Sequence, residues 1–94
     1  MKSYLISYDL IAPGQDYDKI EKKIETYPNY KRILESVWLV QSPKEAEDIA
    51  QELYRVTDNN DKIFVAKLET NPADKNAWWF NLDEEQTQWI LKHL

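Results

Sequence analysis

Cysteine is absent from this sequence, which excludes disulfides, thiolate metal sites and cysteine nucleophiles. Histidine occurs once, as His93 beside the last residue, so an interior His-based acid–base site is excluded as well. Glycine also occurs once and proline four times, too few for a collagen-like or low-complexity chain. No apolar run exceeds four residues, as in Val37-Trp38-Leu39-Val40 and Ala77-Trp78-Trp79-Phe80. Neither a membrane-spanning helix nor a secretory signal fits such runs, and a cytoplasmic location is expected. Positive charge is in deficit: 12 basic against 17 acidic residues leave a net charge of −5. That balance disfavours non-specific nucleic-acid binding, which depends on Lys and Arg neutralising phosphates. Phosphate loops, dinucleotide fingerprints and nucleophile–base motifs are missing too.

What remains is a single domain over residues 1–94, with 43% apolar residues to build one core. Residues 3–9 alternate as a strand, with Tyr4, Ile6 and Tyr8 on one face and Leu5, Ser7 and Asp9 on the other. Ala12-Pro13-Gly14 reads as a turn. A helix capped by Asp16 follows, with Tyr17, Ile20, Ile24 and Tyr27 as its apolar stripe and Pro28-Asn29 as its stop. Lys31 to Gln41 is again extended, but long enough to require a break near Glu35-Ser36. Its alternation puts Ile33, Val37 and Leu39 on one face and Leu34, Trp38 and Val40 on the other.

Ser42-Pro43-Lys44-Glu45 has the form of a capping box opening a second helix, whose stripe is Ala46, Ile49, Ala50, Leu53 and Val56. A polar turn, residues 57–61, precedes a nearly continuous apolar run, residues 62–68, as expected of a strand covered on both faces. Asn71-Pro72-Ala73-Asp74 reads as loop. Trp78-Trp79-Phe80 forms an aromatic knot, and Asp83 with Gln86 caps a short terminal helix bearing Trp89, Ile90 and Leu94. The order implies an α+β fold: a ferredoxin-like β-α-β-β-α-β unit, its two helices on one face of an antiparallel sheet. Residues 3–68 form its core and 69–94 an aromatic, helical extension. A three-stranded α+β fold is the alternative.

The strand ending in Tyr8-Asp9, the segment Leu34-Glu35-Ser36-Val37-Trp38 and the run Asp61 to Leu68 resemble the small ferredoxin-like proteins of the CRISPR-associated superfamily, partners of the spacer-integration enzyme. Ser7-Tyr8-Asp9-Leu10 followed by Pro13-Gly14 and Tyr17 is closest to the stand-alone SinR-like relatives, and more distantly to the virulence-associated protein D ribonucleases. The resemblance implies a homodimer. It also implies that Asp9, as catalytic metal ligand, meets its two-fold mate to hold Mg²⁺ for nuclease or ribonuclease chemistry. Two features depart from that pattern: the chain is acidic, and its tail is an aromatic loop plus a helix.

Each candidate has a plainer alternative. Asp9 could instead end its strand by accepting backbone N–H bonds from the next loop. Tyr4, Tyr8, Tyr17, Tyr27 and Tyr30 could stack on bases, but acidic residues interrupt the basic positions such a groove needs, and sheet packing accounts for them more simply. Trp78, Trp79, Phe80 and Trp89 either seal one end of the sheet or form an interface with a second copy or a protein partner. The favoured expectation is a non-catalytic dimeric interaction module in defence, toxin–antitoxin or mobile-element biology. The Mg²⁺-dependent nuclease is the alternative.

Overall fold

The computed structural model describes residues 1–11, 17–69 and 77–94. The turn expected at Ala12-Pro13-Gly14, the cap at Asp16 and the loop Asn71-Pro72-Ala73-Asp74 lie outside the described residues. Strand β1 is Lys2–Asp9, helix α1 Tyr17–Ile24, strand β2 Asn29–Leu34 and strand β3 Val37–Ser42. Helix α2 is Ala46–Tyr54, strand β4 Lys62–Leu68 and helix α3 Glu84–His93. The fold is α+β, and the three-stranded alternative falls because the long extended segment does divide at Glu35-Ser36. The four strands form one antiparallel sheet in the order β2-β3-β1-β4.

Alternation along β1 builds the core. Ile6 stands opposite Trp38 on one side and Val65 on the other, and Tyr4 stands opposite Val40. These side chains meet Ile20 and Ile24 of α1 and Ile49 and Leu53 of α2, so both helices cover this first face. The buried polar atoms are paired: Tyr4 Oη donates to the Lys44 carbonyl at 2.6 Å, and Trp38 Nε1–H donates to the Tyr8 hydroxyl at 3.1 Å.

Four local expectations need correction. Helix α1 ends at Ile24, and Tyr27 packs from the turn beyond, its N–H bonded to the Ile24 carbonyl. Helix α2 starts at Ala46 with Glu45 as N-cap, because Ser42 stays in β3 and its hydroxyl accepts the Lys44 N–H. The Glu45 N–H donates to the Asp48 carboxylate at 3.2 Å, one half of a capping box placed three residues late. In β2 the register shifts between Arg32 and Leu34, bringing Leu34 opposite Val37 rather than onto the Trp38 face. An extra residue in a ladder inverts the alternation beyond it. Finally, β4 is an edge strand and is not covered on both faces: Phe64 is 63% exposed and Lys62 and Lys67 face solvent.

Candidate functional site

The sheet's second face carries the tail. Leu5, Val37 and Leu39 project onto it between Ser3, Ser7 and Gln41, and α3 crosses its β2–β3 end. Asp83 caps α3 as expected: its carboxylate accepts the Gln86 N–H at 2.8 Å, and Gln86 Oε1 accepts the Asp83 N–H at 3.0 Å. The Gln86 amide also donates to the carbonyls of Arg32 and Ile33, each at 3.0 Å. One side chain thus finishes the helix start and occupies two acceptors of the edge strand β2. Gln41 Nε2 reaches the other end of the helix, donating to the His93 carbonyl at 3.2 Å, and Lys31 pairs with Glu85 at 3.1 Å. Ile90 is buried against the sheet.

The four aromatic residues of the extension divide between sealing and exposure. Trp79 is half-buried, whereas Trp78 is 75% and Phe80 79% exposed. Trp89 is half-buried with its ring centroid 4.4 Å from the His93 imidazole. Asn81 turns the chain towards the helix with φ 63°, a left-handed conformation that Asn tolerates better than most residues. Between the tail, α3 and the sheet lies a cavity of about 400 Å³, lined by Leu5, Leu39, Trp78, Trp79, Ile90 and further apolar residues, with Glu69 among them. Leu34, 58% exposed, stands at the same cavity. Sequence patterning located the aromatic knot but not the cavity, whose walls come from β1–β4, the tail and α3.

Asp9 sits at the carboxyl end of β1, exposed, opposite Lys62 of β4. Asp18 is exposed on α1, and Asp16 lies outside the described residues. Among the described residues no group of three or more His, Asp or Glu is placed to hold a metal ion. The acid that ties down the chain after β1 is Asp61. Its buried carboxylate accepts the Ile11 N–H and the Asp58 N–H, both at 2.9 Å. The Asp- and Asn-rich turn, residues 57–61, advertises such bonding. That it closes on a residue 50 positions away is a tertiary fact.

Tyr4, Tyr8 and Tyr27 are buried and offer no ring face to a base, while Tyr17 and Tyr30 are partly exposed. Several basic side chains are matched by acids: Arg32 with Glu21, Lys31 with Glu85, and Lys23 and Lys44 with Glu52. Burial alone would raise the Glu52 carboxyl. Lys44, the hydrogen bond from the Tyr27 hydroxyl at 2.9 Å and the Lys23 charge outweigh it and hold the carboxyl below its usual range. Burial pushes the Tyr27 phenol well above its ordinary value, and Glu52 reinforces the shift. These groups join Lys23 of α1 and Tyr27 beyond it to Glu52 of α2. Set against known protein families, curated proteins and solved structures, the chain matches none.

Proposed function

We propose that the chain is a non-catalytic interaction module that pairs with a second copy or a protein partner through the second face of its sheet. The carrying observation is the exposure of Trp78, Phe80, Leu34 and Phe64, with Trp78 and Leu34 together at the second-face cavity, since large grouped apolar surface is rare on a monomer. Interface cores are enriched in such aromatic residues. The scaffold we assign is ferredoxin-like: the strand order read from the other edge is β4-β1-β3-β2, with α1 and α2 on one face. Membership of the CRISPR-associated superfamily, and a role in defence, toxin–antitoxin or mobile-element biology, rest on the sequence resemblance. The charge of −5 and the acid-matched basic residues support a protein surface as the partner rather than a phosphate backbone.

Light scattering on wild type and on Trp78→Ser/Phe80→Ser tests the pairing. A wild-type mass of twice the 11.3 kDa chain, falling to one chain in the variant, is expected. A mass of one chain for both at tens of micromolar removes the homodimer. The second reading, a Mg²⁺-dependent nuclease, is favoured by the exposed position of Asp9 at a strand end. It requires RNA or DNA cleavage that depends on Mg²⁺ and is lost in Asp9→Asn.

A further inference from the structure

The second-face cavity has the size of a small-molecule site, and such sites are mostly apolar with few polar groups fixing orientation. At about 400 Å³ it has room for several waters, yet its described lining residues are mostly apolar side chains that offer them few hydrogen-bond partners. Its floor is Leu5 and Leu39 of the sheet, one wall is Ile90 of α3, and the other is Trp78 and Trp79. Indole faces attract cations through their quadrupole. Glu69 is the one charged residue among the described residues of the lining; it is exposed and forms no ion pair with any described residue. Lys31, the basic residue of β2 on this face, is held by Glu85. Among the described lining residues, two indoles and one carboxylate favour a cation over an anion. The chain's net −5 acts the same way at longer range.

We infer that this cavity binds an organic cation with an apolar body, such as an aryl-alkyl amine, its hydrocarbon against Leu5 and Leu39 and its ammonium between the indoles and Glu69. The inference goes beyond the protein-partner reading; Trp78 serves both, and Glu69→Gln, which leaves Trp78 and Phe80 in place, tests this one separately. Three probes share one body and differ in the head group: 4-phenylbutylamine, 4-phenylbutanol and 4-phenylbutyrate. Each is titrated into the full chain by calorimetry, with tryptophan fluorescence as a second readout.

The amine is expected to bind with Kd on the order of 0.1–1 mM, as befits so small a ligand. The alcohol should bind about fivefold to tenfold more weakly, and the carboxylate more weakly still. Glu69→Gln, at an exposed position, should bring the amine close to the alcohol and leave the alcohol unchanged. Glu47→Gln, on α2 and away from the cavity, removes the same charge and should preserve the preference. Equal binding of amine and alcohol to wild type overturns the inference. So does a preference that survives Glu69→Gln, an equal loss in Glu47→Gln, or no binding of any probe at 10 mM, roughly ten times the upper Kd expected.

Discussion

The two faces of the sheet are built from the same strands but finished differently. On the first face, α1 and α2 bring Ile20, Ile24, Ile49 and Leu53 onto Tyr4, Ile6, Trp38 and Val40, all of them buried. Hydroxyl and indole groups that enter this core find partners there. On the second face α3 packs against β2, a cavity lies between α3, Trp78, Trp79 and the sheet, and Phe64 and Trp78 stay in solvent. Two helices suffice to close one side of a four-stranded sheet, and a single ten-residue helix does not close the other. The first face therefore holds the buried apolar packing, and the second leaves large apolar side chains exposed.

That contrast breaks first by truncation. Leu53→Ala on the first face should cost about 2–5 kcal/mol, as buried Leu truncations do, with a matching fall in the denaturation midpoint. Phe64→Ser on the second face should change stability by less than about 0.5 kcal/mol, because the ring is already in water. Comparable losses would mean that the second face is as closed as the first.

A smaller effect separates the faces by pH. The Glu52 carboxyl lies below its usual range in the folded protein, so its contribution is fully present above about pH 4.3, the unfolded value. It is lost as the pH falls through the depressed folded value. Glu52→Gln should therefore cost about 1–2 kcal/mol at neutral pH. Its stability should also decline less steeply than wild type between about pH 5 and pH 3. Urea midpoints across that range provide the check; parallel curves would show that the bonds to Lys44 and Tyr27 add no acid sensitivity.

The smallest expected effect sharpens the comparison. Gln86→Ala removes the reciprocal cap of α3 and its two bonds to β2, and should cost about 1 kcal/mol. Amide exchange should quicken in α3 while β1 and β3 keep their protection. Uniform quickening through all strands would show that the second face is coupled to the core.

The alternation of β1, the break at Glu35-Ser36, the apolar stripe of α2 and the Asp83/Gln86 cap were all legible, because neighbours in sequence decide them. The start of α2 was not. Ser42-Pro43-Lys44-Glu45 satisfies a capping pattern, but pairing of Ser42 opposite Lys2 keeps that residue in β3. Nor was β4 legible as an edge, since four consecutive apolar residues look alike whether or not a second neighbour lies beside them. The aromatic knot stood out at once, but its division into Trp79 inside and Trp78 and Phe80 outside did not.

By itself the sequence determined the α+β element order, the acidic charge, the absence of thiol chemistry and the residues available to a core. Those follow from side-chain chemistry and from periodicities of 2 and 3.6 residues, which act over one or two turns of chain. Only the tertiary structure decided that Asp61 rather than Asp9 secures Ile11, that Gln86 joins α3 to β2, and that Glu69 borders an apolar cavity. Each of these joins segments far apart in sequence, and such contacts exist only once the sheet has fixed its strand order and register.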